Sequence, residues 1–346
     1  MTVLKSNDEQ TKVQVQMTIT TQAFRLLDQI GPTKLAEFQC QTGLANFFWE
    51  ATYLSETPAH KSLTQRLAEA EGVVIFLHGW DGNHRIWEDL PARIVKQLPH
   101  VICLNPDVNG FGESPFMDNR PKGQQASLSA GMAAVEKWLE VIEAWPQAHR
   151  TTKPFYLFVG HSMGGGMVFY KNQPQWTHHK YGCYAMAPGI FYRNWLYGWL
   201  YKIVGLGILF PHVTPIKNII ARLIVKIAMR QASRVAKYEH EHTFYASSYQ
   251  TLSKTLRGIG SSPPPTRTDW SPYRVALSHA DLLVPLGATL RMLSKFGFIP
   301  AQIRVFVGDH YFFSYDSHSP VSHHYNRETI LQDLVIFCQQ LAESSH

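Results

Sequence analysis

One stretch constrains this chain more than any other: Phe155 to Gly166, FYLFVGHSMGGG. Phe155–Val159 is a short apolar run rich in aromatics, which reads as a buried strand and is too short for a helix. Gly160-His-Ser-Met-Gly164 follows at once, a G-x-S-x-G pattern in which a strand turns sharply into a helix with a serine at the turn. Such a turn needs glycine where a Cβ would strike the neighbouring backbone. It also presents the Ser162 hydroxyl at a helix N-terminus, whose dipole and unpaired N–H groups favour negative charge. A nucleophilic serine is the first reading, and a glycine-rich turn with an incidental serine is the alternative.

The rest of the chain supplies a sheet for that turn. Val73–Leu77 is a continuous β-branched and apolar run, as expected of a central parallel strand covered on both faces. It leads into His78-Gly79-Trp80-Asp81-Gly82. Val101–Leu104, Tyr181–Ala187, Arg274–Leu277 and Ile303–Val307 read as further strands. Helical spacing marks Ser127–Trp145, Pro285–Phe296 and Glu328–Ala342. The alternation predicts an α/β fold, a mostly parallel central sheet with helices on both faces. The rhythm stops at Ile190 and resumes near Tyr273. Three regions follow: an N-terminal extension (1–44), a core (45–189 and 273–346) and a helical cap insertion (190–272). Within the extension, Val13–Ile19 alternates like a half-buried strand, and Ala23–Ile30 and Thr33–Cys40 read as short helices around Gly31-Pro32.

A serine hydroxyl becomes a useful nucleophile only when a base takes its proton and a third group orients that base. His310, behind Gly308-Asp309 at the end of Ile303–Val307, fits the base. Asp281, in Ser278-His-Ala-Asp281 at the end of Arg274–Leu277, fits the acid; its competing role is the N-cap of the helix that follows. Five pieces, His78-Gly79, Gly110-Phe-Gly-Glu-Ser114, Gly160-His-Ser-Met-Gly-Gly165, Asp281 with Val284-Pro285, and Gly308-Asp-His310, stand in the order found in α/β-hydrolases. The chain resembles that superfamily, in the group of monoglyceride lipases, lysophospholipases and serine-peptidase-like esterases, over residues 73–190 and 273–343.

The resemblance implies a division of labour. Ser162 attacks, His310 serves as base and then acid, and Asp281 holds the imidazole tautomer. The backbone N–H groups of Met163 and Trp80 form the oxyanion hole. The family often carries a small residue where this chain has Trp80, which is therefore also expected to wall the acyl pocket. His78, Gly79, Trp195 and Trp199 are the other pocket candidates. His161, His279, Asp309, Asp107 and Glu113 are read as packing or loop-stabilising groups, and Ser162 excludes an aspartate nucleophile. The implied function is hydrolysis of carboxylic esters, with lipid-like acyl groups, through an acyl-enzyme. A thioesterase or acyltransferase on the same triad, and a catalytically idle binding protein of this fold, remain the alternatives.

Composition narrows the partners. With 45% hydrophobic and 17% charged residues in 346, the chain can bury a large core. The net charge of +6 is concentrated: ten Lys/Arg against two acids lie between Ile190 and Arg257. Arg222, Lys226, Arg230 and Arg234 recur every four residues on a helix expected to start at Thr214-Pro215, so peripheral contact with an anionic membrane is expected of the cap. No nucleic-acid motif accompanies the charge. No metal spacing or cofactor motif occurs, and four scattered cysteines predict free thiols and a reducing compartment. The apolar run Trp195–Phe210 is short for a span and holds Lys202, and no secretory signal is visible, so a cytoplasmic protein is expected.

Overall fold

The computed structural model describes residues 16–57, 61–150, 153–171, 180–190, 195–209, 219, 221–223, 225, 226 and 229–343. Eight strands form one sheet: β1 (Gln16–Arg25), β2 (Phe48–Thr57), β3 (Gly72–Leu77), β4 (Val101–Pro106), β5 (Phe155–His161), β6 (Tyr181–Met186), β7 (Tyr273–Ser278) and β8 (Ile303–Phe306). Their spatial order is β1-β2-β4-β3-β5-β6-β7-β8. The β1–β2 and β2–β4 pairs are antiparallel and all others parallel. The expected α/β-hydrolase architecture is therefore the one observed. β3, β4 and β5 are buried along their whole length, which explains why they read as unbroken apolar runs instead of alternating ones.

Helices α1 (Pro32–Thr42), α2 (Leu63–Glu69), α3 (Leu90–Gln97), α4 (Leu128–His149) and α5 (Met163–Met167) lie between the earlier strands. Ser127, read as a helix start, caps α4 by accepting a hydrogen bond from the Ala130 amide at 3.2 Å. The extension expected over 1–44 contributes β1 to the same sheet. The helix expected over Ala23–Ile30 is absent. Ala23 to Arg25 pair instead with Glu50 to Phe48 of β2, and only Leu26–Asp28 coil into a 3-10 turn. Pairing along β2 outweighs a weak local helical pattern.

Between β6 and β7 stand α6 (Trp195–Leu209), α7 (Arg234–Ala246) and α8 (Tyr249–Ser261). The helix start expected at Thr214-Pro215 lies outside the described residues. The chain closes with α9 (Leu286–Phe296) and α10 (Val321–Glu343). Cys103, Cys183 and Cys338 are buried free thiols and Cys40 is an exposed one. Among the described residues no helix is long and apolar enough to cross a membrane. Parallel strands bring the loops after β3, β5, β7 and β8 to one edge of the sheet, where open α/β sheets place their sites.

Candidate active site

Ser162 sits between β5 and α5 with φ 53° and ψ −110°, a left-handed conformation costly for a residue with a Cβ. Its surroundings hold it there. The Ser162 amide donates to the Met186 carbonyl at 2.9 Å, and its carbonyl accepts from Gly166 and Gly189, both at 2.8 Å. The flanking glycines are steric necessities: a Cβ on Gly160 would lie 2.3 Å from the Gly164 carbonyl oxygen, and one on Gly164 would lie 2.1 Å from that of Leu77. The strained elbow read from sequence is thus present, and Gly164 is pressed against the end of β3.

His310 stands on the loop after β8 and Asp281 on the loop after β7. The His310 Nδ1–H donates to Asp281 Oδ2 at 2.7 Å, and both side chains are buried. A carboxylate only accepts, so Nδ1 carries the shared proton, and in the neutral ring this tautomer leaves the lone pair on Nε2. The other Asp281 oxygen accepts from the Leu283 and Val284 amides, each at 2.8 Å. Asp281 is not the N-cap of α9, which starts at Leu286 after Pro285 without a side-chain cap. It orders its own loop and faces His310 at once.

Ser162 and His310 line one cavity of about 170 Å³, whose wall is almost wholly apolar. Trp80, Gly189, Met229, Leu256, Ile259 and Leu283 contribute to it. Among the described residues, neither the Met163 nor the Trp80 amide is spent on a backbone carbonyl, as oxyanion donors require. The Trp80 indole N–H donates to Thr255 Oγ1 at 2.9 Å, which fixes its ring as a wall.

Three expected pocket residues do not line the cavity. His78 is fully buried behind the loop: its Nδ1–H donates to the Gly79 carbonyl at 2.8 Å and its Nε2 accepts from the Val108 amide at 2.8 Å. Burial pulls its pKa down, so it stays neutral and shapes the loop instead of lining the pocket. Trp199 is 56% exposed, because α6 turns Leu200, Tyr201 and Val204 toward the cavity. Gly79 backs the site without lining it; a Cβ there would come 3.1 Å from the Ser162 Cβ. The Trp195 side chain lies outside the described residues.

His161 is buried against His310. Its Nε2–H donates to the His310 carbonyl at 3.0 Å, and the two ring centroids are 4.7 Å apart. Burial, then the His310 charge, pushes its pKa well below the usual range, so it packs as a neutral ring. Asp309 accepts from the Gln231 amide at 2.8 Å and Asp107 accepts from His84 and Glu113, so both order loops. His279 accepts weakly from the Gly308 amide at 3.4 Å. One residue escaped sequence reading. His240, on α7, is buried and lines the same cavity. It is one of seventeen histidines and no local pattern marks it.

A strained serine elbow on a mostly parallel sheet, with a histidine–aspartate pair from the last two strand ends, defines the hydrolase class of α/β protein. Residues 74–323 match the profile of the alpha/beta hydrolase family, and the chain belongs to that family. No curated protein sequence matches it. Solved structures of similar fold include a laboratory-evolved variant of potato epoxide hydrolase (14% identity, 86% of this chain and 97% of that one, TM-score 0.60). A thermophilic esterase from Thermogutta terrifontis (14% identity, 86% and 94%, TM-score 0.58) and a bromoperoxidase from Bacillus anthracis (15% identity, 85% and 95%, TM-score 0.55) are also similar.

Proposed function

We propose that the protein is a serine esterase acting on carboxylic esters with apolar acyl groups. The observation that carries this reading is that His310, held by Asp281, opens with the strained Ser162 into one apolar cavity. His310 Nε2 takes the proton from Ser162 Oγ as that oxygen attacks the carbonyl carbon. The carbonyl electrons move onto oxygen, where the Met163 and Trp80 amides stabilise the charge. Collapse expels the alcohol, protonated by His310, and leaves an acyl-enzyme. Water, activated by the same ring, releases the acid and restores Ser162. Asp281 accepts from Nδ1 throughout and stabilises the charged imidazole.

An apolar cavity of about 150 Å³ holds a benzene-sized guest, so this one suits a medium-length chain or an aryl group. Fluorophosphonate labelling with Ser162→Ala as control, followed by p-nitrophenyl esters of increasing chain length, tests both parts. Labelling that survives Ser162→Ala sinks the mechanism; rates that do not rise beyond butyrate sink the apolar acyl assignment. Added glycerol, with product analysis, separates hydrolysis from acyl transfer.

The exposed Trp199, Ile203 and Leu206 on α6, together with the exposed basic Arg222 and Lys226 of the same insertion, favour contact with an anionic bilayer. Phosphatidylserine vesicles should sediment the protein at low salt and release it at high salt, and phosphatidylcholine vesicles should not. Equal binding to both vesicles refutes the electrostatic part.

A further inference from the structure

α7 grips two loops that sequence keeps far apart. On one side its residues hold the loop after β3. Glu239 Oε2 and Thr243 Oγ1 accept from Asn83 Nδ2 at 2.8 and 3.1 Å, and the Phe244 ring packs edge-on against Trp80 with centroids 6.1 Å apart. On the other side, the segment entering α7 holds the loop after β8. The Gln231 amide donates to Asp309 Oδ2 at 2.8 Å, and the Ser233 amide donates to Ser314 Oγ at 3.1 Å.

His240 touches both loops with one ring. Its Nδ1 lies 3.4 Å from Asp81 Oδ2, and its Nε2 meets the Tyr311 hydroxyl. Asp81 follows Trp80, whose amide is the second oxyanion donor, and Tyr311 follows His310, the base. Burial, and then the charges of His78 and His310, push the His240 pKa down to about 3, so the ring is neutral at working pH. A neutral imidazole has one donor and one acceptor. Nδ1–H donates to the Asp81 carboxylate and Nε2 accepts from the Tyr311 hydroxyl.

We propose that α7 is a fixed clamp and that His240 is a positioning residue, setting the oxyanion loop at its working distance from the general base. The proposal rests on the serine esterase reading. It makes this part of the cap a component of the site, so substrate enters past the α6 edge, where Leu200 and Val204 both line the cavity and are exposed.

The test compares kcat, KM, thermal unfolding and fluorophosphonate labelling of Ser162 in the parent, His240→Ala, His240→Gln, Tyr311→Phe and the double variant His240→Ala with Tyr311→Phe. A shift of the oxyanion donor by about an ångström costs roughly 10- to 100-fold in rate. His240→Ala should lose that much kcat with KM changed less than about threefold and the fold intact. His240→Gln, whose amide oxygen can still accept from Tyr311, should recover most of it. Tyr311→Phe should lower kcat alone, yet add less than about twofold to His240→Ala, because both remove one contact. Parental kcat in folded His240→Ala, or a raised KM at unchanged kcat, overturns the proposal. If His240→Ala does not fold, parental kcat in Tyr311→Phe overturns it equally. A parent protein that resists labelling refutes the esterase reading itself, and the proposal with it.

Discussion

Replacing Asp281 by asparagine separates the two duties of this side chain. Its Oδ1 accepts hydrogen bonds from two backbone amides, Leu283 and Val284, and its Oδ2 accepts one from the His310 Nδ1–H. Asparagine has one oxygen and one NH2 group to place. Turning the NH2 toward the two amides would leave buried donors facing a donor, at about 1–3 kcal/mol for each orphaned group. The amide oxygen therefore stays on the backbone and the NH2 faces His310. Against a donor, Nδ1 must accept, so the imidazole proton moves to Nε2. Ser162 then faces a nitrogen with no lone pair. The same tautomer error in a serine–histidine–aspartate site costs about 10⁴ in kcat, or about 5 kcal/mol of barrier. Stability should fall by only about 1 kcal/mol, because the loop keeps its two amide bonds. Steady-state kinetics on a p-nitrophenyl ester, with thermal unfolding by circular dichroism, measure both. Folded Asp281→Asn with more than a tenth of the parental kcat would refute the assignment, and would leave Asp281 as a loop-ordering residue only.

Two further perturbations test the frame around the site. Gly164→Ala puts a Cβ 2.1 Å from the Leu77 carbonyl oxygen and 2.7 Å from that of His78, so the elbow must move away from β3. Activity should fall by roughly 100-fold, with about 1–3 kcal/mol lost to overpacking; parental activity in the soluble variant contradicts the close approach. His84, buried 2.9 Å from Asp107 Oδ1 and 3.4 Å from Glu50 Oε1, should make stability pH-dependent. Burial opposes its charge, but hydrogen bonds and the charges of both carboxylates outweigh it and raise the pKa to about 9. The folded-state value exceeds the unfolded one, so the contribution is full below about pH 6.5 and is lost as pH rises through about 9. Its size is on the order of 3 kcal/mol. Melting curves of His84→Gln should lose that slope, and profiles of variant and parent that run parallel across this range would dismiss it.

The two loops that meet in the cavity differ in how far sequence could reach them. Ser162 was legible because its constraint is local: two glycines, a preceding strand and a following helix are all within a dozen residues. The sheet was legible for a similar reason, since strands buried on both faces become continuous apolar runs. His310 and Asp281 were placed by order along the chain, each just past a strand end, although their 2.7 Å contact was not visible.

Other features depended on which surfaces meet. β1 absorbed Ala23–Arg25 because β2 offered pairing that local helical spacing could not match. The face of α6 that lines the cavity, Leu200, Tyr201 and Val204 in place of Trp199, follows from how that helix packs, and an apolar run with residues on every side does not specify it. His240 is the clearest case. It lies 159 residues from Asp81 and 71 from Tyr311, and nothing near it in the chain marks it. Sequence by itself determined the turn, the mostly parallel sheet and the place of the serine at a strand end, because those are set by short-range sterics and burial. Tertiary structure alone decided the strand order and which cap residues reach that serine, because contacts between distant elements are chosen by packing and leave no period in the chain.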